Sequence, residues 1–582
     1  MDITSAIHLA IDNIQKDGLT DVDVFTTPFE LSMIKGDLRE KIAQEIKESL
    51  NHNSLQSLKV SPITHILFPK KELFDFRKCA HIQPLDEMKY LSLVLQLAIK
   101  IENMRICKDK KYIFSYRFNP QKGNLFDSNY NYTSFREHVA KKSKQKNINV
   151  MVSCDISNFY DRLNLHRLES ILTSLPETNK KVVKQINELL LFWSNRDSYG
   201  LPVGSNASRI LAEAALIEVD NYLISKKVDF CRFVDDYRFF ASDAAIAHHW
   251  LSLLVDRLNK EGFFINTSKT EIKDVSNADH DEVIILFRRP PSEMATSENK
   301  QQKLFVATTS TSISMPMPMP MPPPVSAPAQ SAETQKDQTD TEDLPSNQNI
   351  SKIIRGYSGL IPTKFRKLTL NEVNKSTNIN IQLLLEETTN SMVVDPKKFI
   401  QLIKVSIAQK KFHILSNVVS ILNKFPQFIP YTLDAIAKNE NDISDETIAE
   451  ISKKLGKWLT DWNSSEFILV YIVRFFGRGR FTNKEILFEY FRSLRRNEGS
   501  YIGRAVLEQL EPLVNRGEVL EIRDYYSRAD LWEKRQIAKM VDIHIAKEEK
   551  KAFFKNILSL ENDIFIKNIS GSFGQDSQTI EQ

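Results

Sequence analysis

The chain is poor in cysteine: Cys79, Cys107, Cys154 and Cys231 are its only four in 582 residues. They stand far apart, with no Cys-x-x-Cys and no short Cys/His spacing, which excludes a zinc ribbon or zinc finger. Reduced, buried thiols in a cytoplasmic protein are the expectation. Net charge is nearly absent as well: 78 basic residues against 74 acidic ones leave +4, so any nucleic-acid surface must come from local clustering. A run of about eighteen apolar residues is lacking, which excludes a membrane-spanning helix. The N-terminus MDITSAIHLAIDNIQKDG carries acids where a signal peptide needs an apolar core, so none is expected. A single core does not serve a chain of this length, and two or three domains are expected.

What is present centres on Arg232-Phe-Val-Asp-Asp-Tyr-Arg-Phe-Phe-Ala241. Phe233 and Val234 on one side and Phe239, Phe240 and Ala241 on the other predict two short strands meeting at a tight Asp235-Asp236 turn. A surface hairpin would use Asp-Gly or Asn-Gly and would not ring the turn with aromatics. Paired carboxylates in an apolar hairpin suit hard divalent cations such as Mg²⁺. Read alone, such a pair is more often a plain turn.

Upstream, apolar spacing predicts helices over residues 2–16, with Gly18 as the stop, over 38–50 and over 87–104. A strand is expected over Ile113–Phe118 and another over Val150–Cys154, the second ending at Asp155, where a carboxylate is costly unless paired, capping or metal-bound. The basic run Lys141–Lys146 is a solvated loop or, beside a cleft, a phosphate contact. Gly200-Leu-Pro-Val-Gly204 leads into an Ala-rich helix whose small side chains permit close approach. Helix 246–261, a turn and strand over 262–272 and a short strand over 283–287 follow. Residues 290–349, with Met-Pro repeats and many Ser, Thr and Gln, predict a disordered linker. Residues 350–570 have helical periodicity in pairs with short connections, which suggests a solenoid, although no crisp repeat signature is visible. Arg474, Arg478, Arg480, Arg492, Arg495, Arg496 and Arg504 cluster there, as solvated faces or as a surface for single-stranded nucleic acid.

Asp155, the Gly200–Gly204 loop, Phe233-Val-Asp-Asp236 and Gly262…Lys269-Thr270 occur in the order of motifs A, B, C and D of the reverse transcriptases, and the chain resembles that family over roughly residues 60–290. The resemblance implies an α+β reverse-transcriptase fingers and palm domain followed by an all-α HEAT-like helical-repeat domain. The divisions are 1–60 N-terminal helical extension, 61–289 fingers and palm, 290–349 linker, 350–570 helical repeats and 571–582 tail. It further implies Asp155, Asp235 and Asp236 as catalytic residues. Asp155, Ile156, Asp235 and Asp236 would hold two Mg²⁺ ions, with Mn²⁺ as an alternative. Arg117 in Ser115-Tyr-Arg117, Arg77, Tyr160 as a steric gate under the sugar, Gly204 and Lys269 would contact the nucleotide. Val203 stands where many reverse transcriptases have Gln, and no familiar thumb follows the palm.

The helical C-terminal half and Thr20-Asp-Val-Asp-Val-Phe-Thr-Thr-Pro-Phe-Glu30 resemble bacterial abortive-infection (Abi-type) and other defence-associated reverse transcriptases. That resemblance implies a DNA polymerase of anti-phage defence, untemplated and protein-primed in some members. Expected partners are dNTPs, RNA or single-stranded DNA, DNA attached to the protein, a phage trigger protein and further copies of the chain, with no membrane. The alternatives are RNA-templated cDNA synthesis on an associated non-coding RNA, a non-catalytic RNA-binding phage sensor, and a retroelement polymerase.

Overall fold

A computed structural model describes residues 1–51, 58–69, 76–276, 362–390, 395–460, 464–494 and 501–571. The expected linker over 290–349, the strand over 283–287, Arg495, Arg496 and nearly all of the tail lie outside the described residues.

The first helix, Ile3–Asp17, is capped by Asp2, whose carboxylate accepts from the Ser5 amide, and is closed by Gly18 at φ +87°. Its stripe of Ile7, Ala10, Ile11 and Ile14 is buried. That stripe packs on the 21-residue helix Pro84–Met104, which the helix Gly36–Asn51 also meets. Pro84–Met104 is buried on most of its circumference, and its buried Asp86 and Lys89 are matched: Asp86 accepts from the Ser61 amide at 2.8 Å and Lys89 donates to the Leu58 carbonyl at 2.7 Å.

Strands β1 (Thr64–Pro69) and β2 (Phe76–His81) form an antiparallel hairpin, and β3 (Phe118–Gln121) pairs with β4 (Asn124–Phe126). The strand expected over Ile113–Phe118 is instead a single bridge from Ile113 to Arg232, with the regular strand starting at Phe118. The main sheet is antiparallel in the order β6-β7-β5-β8, with β5 Val150–Asp155, β6 Phe230–Phe233, β7 Asp236–Ala241 and β8 Glu271–Asp274. β5 lies inside the sheet and buries Met151, Val152 and Cys154 completely or nearly so, whereas β8 at the edge is mostly exposed. The helix Ala244–Glu261 packs on β5 and β7, and Tyr132–Lys142 packs on β6. Lys142 pairs with Asp229 and lies 4.9 Å over the Phe240 ring, so part of the basic run serves packing.

From Leu370 to Ser570 the described residues are mostly helical, with successive helices such as Pro396–Ala408, His413–Ile421, Ile429–Lys438, Asp445–Thr460 and Glu466–Phe475 sharing a second core. The two cores interlock. Val24, Phe25, Ile66 and Cys79 enter the C-terminal core, while Trp532 and Phe565 enter the core of the sheet. His81 at the end of β2 is stacked between Phe25 at 4.3 Å and Trp532 at 4.4 Å. Buried ion pairing reinforces the seam where Arg504 donates to Glu30 at 3.0 Å, and Arg535 reaches Gln83 at 2.7 Å. All four cysteines are free thiols, and Cys107 alone is exposed. Among the described residues no helix is long and apolar enough to cross a membrane.

Candidate active site

The carboxylates come together through strand register. Asp155 at the end of β5 stands directly opposite Asp236, the first residue of β7, and Phe233 pairs with Asp236 across the β6–β7 hairpin. Side chains directly opposite share a face of the sheet, so Asp155 and Asp236 are neighbours. The turn is therefore Val234-Asp235, one residue earlier than the expected Asp235-Asp236, and Asp236 belongs to the strand. Val234 takes the positive φ, +55°. A β-branched residue there is strained by about 1–3 kcal/mol, a conformation that persists only when its surroundings enforce it.

The enforcing groups are visible. Arg232 donates to the Val234 carbonyl at 2.7 Å, and the Ile156 amide donates to the Asp235 carbonyl at 3.1 Å. Arg232 is itself wholly buried, forking onto Asp220 at 2.6 and 3.0 Å and reaching Glu213 at 2.9 Å. Burial alone would raise the Glu213 carboxyl, but Arg232 and Arg105 hold it below its usual range. Arg105 donates to Glu213 at 2.6 Å, and the Ser115 hydroxyl also donates to it. Arg232, Glu213, Asp220 and Arg105 escaped the sequence reading. Their one signal was an arginine inside an apolar strand, which requires buried acids nearby.

Each strand-borne carboxylate carries a cation. Arg238 forks onto Asp236, with Nη2 2.9 Å from Oδ2, and the Lys269 ammonium lies 2.9 Å from Asp155. Burial pushes the Asp236 carboxyl above its usual range, ahead of the pull from Arg238, and the like charge of Asp155 adds to the rise. Lys269 ends a short 3-10 turn, Thr267–Lys269. Its segment is tied to the tip of β5 by the Asn266 amide donating to the Asp155 carbonyl at 2.7 Å and by Ser157 donating to Phe264 at 2.7 Å. Asp155, Asp235, Asp236 and the Ile156 backbone offer hard oxygen donors, which suit a divalent cation. Among the described residues, however, no three His, Cys, Asp or Glu side chains stand close enough to share one ion. A ready-made cage is not what the fold holds.

The loop over Gly200–Gly204 is stitched to the same site. Gly200, at φ +101°, donates to Leu163 at 2.9 Å, and Leu201 donates to the Tyr160 carbonyl at 2.9 Å. Tyr160 is half-buried on the turn Phe159–Arg162. Val203 bridges Cys79 of β2. At Gly204, φ +113°, an added Cβ would run into Thr20 Oγ1 of the N-terminal segment, so only glycine admits that approach.

Other expected contacts lie elsewhere. Arg117 is 2% exposed, pairs with Glu102 at 2.7 Å and donates to the Ile106 carbonyl at 2.9 Å. It is a buried structural cation rather than a triphosphate contact. Arg77 lies half-buried on β2, opposite Phe68. Among the described residues, the C-terminal arginines have these surroundings. Arg474 is buried and donates to the Asp23 carbonyl at 3.2 Å. Arg480 binds Asp445 and the Glu440 and Ile443 carbonyls, and Arg492 forks onto Glu521. Arg478 is exposed and borders a cavity described below.

Residues 94–297 match the family model described as reverse transcriptase (RNA-dependent DNA polymerase), so the chain carries a reverse transcriptase domain. Similar solved structures include telomerase from Candida albicans in complex with a TWJ fragment of telomeric RNA. That structure is 13% identical, covers 80% of this chain and 70% of its own, and has a TM-score of 0.28. Telomerase from Candida tropicalis with a TWJ fragment of telomeric RNA is 12% identical over 75% of this chain and 67% of that one, at TM-score 0.27. Apo telomerase from Candida tropicalis is 13% identical over 71% and 68%, at 0.28. No curated protein matches the chain.

Proposed function

We propose that this chain is a reverse-transcriptase-type DNA polymerase of anti-phage defence, one that joins deoxynucleotides to a hydroxyl of its own without a nucleic-acid template. The observation that carries the polymerase reading is the register Asp155 opposite Asp236, with Asp235 at the enforced turn between the strands. Divalent cations, Mg²⁺ or Mn²⁺, held by Asp155, Asp235 and Asp236 would acidify the attacking hydroxyl and offset charge on the phosphate. The chain's own residues orient and neutralise. Arg238 fixes the Asp236 carboxylate, and Lys269, 2.9 Å from Asp155, would hold a proton for the departing pyrophosphate. Tyr160 borders the sugar and favours deoxynucleotides, and Arg77 takes the phosphate role that Arg117 is too buried to fill.

Untemplated synthesis is supported by Thr20 pressing on Gly204, in the loop where the resemblance places the nucleotide, and by Val203 in place of Gln. The defence role and the protein primer rest on the Abi-type resemblance and on the helical C-terminal region, which we read as HEAT-like repeats. A phage trigger protein and association of several copies belong to the same reading. RNA-templated cDNA synthesis is the second reading, favoured by the description of the matching family.

The full chain, incubated with each labelled dNTP and Mg²⁺, is expected to incorporate nucleotides without added RNA and to yield product whose mobility changes with protease. Asp235→Ala is expected to lower incorporation roughly a thousandfold or more, the scale on which charged groups at a reacting centre act. Absence of incorporation, or equal incorporation by Asp235→Ala, overturns the polymerase reading. Incorporation only with RNA replaces the untemplated reading by the templated one.

A further inference from the structure

A cavity of about 870 Å³ lies between the N-terminal segment, the Gly204 loop, the 124–133 loop and the C-terminal helices. Phe233 and Tyr116 contribute an aromatic wall, and Phe233 immediately precedes the Val234-Asp235 turn, so the cavity adjoins the carboxylate hairpin. Its volume exceeds that of a nucleobase. Most polar groups around the Gly204 loop are already matched. Asn206 donates to Asn13 at 2.9 Å and accepts from Arg209 at 2.6 Å, and Arg209 also pairs with Asp21.

Glu87 is the exception. It is 1% exposed and lines the cavity, and its Oε1 accepts the Ser205 hydroxyl at 2.6 Å. Its Oε2 is buried and has no hydrogen-bond partner. A buried polar atom in that state calls for a ligand or an ordered solvent molecule. Burial also pushes this carboxyl up to about 8, so at neutral pH it carries a proton, and with Oε1 accepting from Ser205 the proton falls to Oε2.

We propose that this cavity is a protein-built nucleobase pocket in which Glu87 Oε2 donates to the pairing edge of the incoming deoxynucleotide, so that a side chain does the selecting that a template base would do. The inference rests on the polymerase reading above. The pairing-edge ring nitrogen of adenine and cytosine is an acceptor, whereas that of guanine and thymine carries hydrogen. The pocket therefore takes adenine or cytosine and rejects the other two. Thr20 closes against Gly204 on one side of the cavity, and the Asn13–Asn206–Arg209–Asp21 chain ties the N-terminal segment to the helix that follows this loop.

The test measures, on the full chain, equilibrium binding of each of the four dNTPs with Ca²⁺ and incorporation of each with Mg²⁺. Wild type is expected to favour dATP and dCTP over dGTP and dTTP by about tenfold or more, the scale of one buried hydrogen bond of selection. Glu87→Gln, whose amide both accepts from Ser205 and donates into the cavity, is expected to keep the preference. Glu87→Met is expected to abolish it while leaving triphosphate binding measurable. Equal use of all four nucleotides by wild type, or a preference unchanged in Glu87→Met, overturns the pocket and leaves the polymerase reading standing. Failure of wild type both to bind and to incorporate any dNTP overturns both. If Glu87→Met does not fold, the wild-type ratio and its retention in Glu87→Gln still decide.

Discussion

Val234 sits in a backbone region that β-branched residues avoid, at the point where two carboxylates must be held close. The strain is opposed by Arg232 and Ile156 through the two turn carbonyls, so the turn is fixed before any ligand arrives. At the same scale, Glu87 makes stability pH-dependent. Its carboxyl ionises at 4.5 when exposed and at about 8 in the fold. The native chain keeps a proton that the unfolded chain has lost, so the contribution of Glu87 is fully present below pH 4.5 and is lost as pH rises toward 8. Glu87→Gln is expected to flatten that slope. Urea unfolding of both forms at pH 5, 6, 7 and 8 checks it, and parallel slopes exclude the assignment. That the aspartates meet was legible because a strand ending in Asp155 and an apolar hairpin carrying Asp235 and Asp236 occur in the order of a known family. The turn was displaced by one residue because alternation does not reveal which residue accepts a positive φ. Arg117 misled for a related reason: an arginine next to a strand serves phosphate and a buried Glu102 equally well, and only packing separates the two.

At the scale of elements, the β6–β7 hairpin depends on a buried ionic cluster more than on its turn sequence. Removing one partner of such a cluster leaves an uncompensated charge in the interior, at about 3–5 kcal/mol. Arg232→Met leaves Asp220 without its cation while Glu213 keeps Arg105, and is expected to lower the thermal midpoint and abolish incorporation at once. Retained incorporation with a lowered midpoint would show that the turn keeps its geometry without Arg232. Helices were read well from periodicity, since spacing of apolar residues reports burial directly: expected 246–261 is observed as Ala244–Glu261, and expected 87–104 as Pro84–Met104. The arginine-lined face was not legible. Sequence clustering cannot tell that Arg480 and Arg492 turn toward Asp445 and Glu521 rather than toward a common groove.

For the whole molecule, the seam around His81 joins the sheet domain to the helical region through one aromatic stack. Neither ring nitrogen of His81 has a hydrogen-bond partner, and burial, with Arg504 and Arg474 nearby, lowers its pKa from 6.5 to about 3. The folded chain holds it neutral, so its contribution is present above pH 6.5 and lost as pH falls toward 3. His81→Phe keeps the stack and removes the titration. Its thermal midpoint is expected to exceed that of wild type at pH 5 by more than at pH 8, and an equal difference at both would exclude the seam as the acid-sensitive point. No pattern in the sequence announced this seam, because its members come from residues 25, 81, 501 and 532.

Glu30 and Arg504 lie 474 residues apart in the chain and are both buried in their pair. On a ribosome adding roughly 5–20 residues per second, the segment around Glu30 waits on the order of half a minute to a minute and a half for its partner to be made. Until then the Glu30 carboxylate lacks the guanidinium that it meets in the folded chain. In a growing chain the sheet strands, all complete by residue 274, therefore precede the helices from Pro430 to Arg478 that close the cavity beside them.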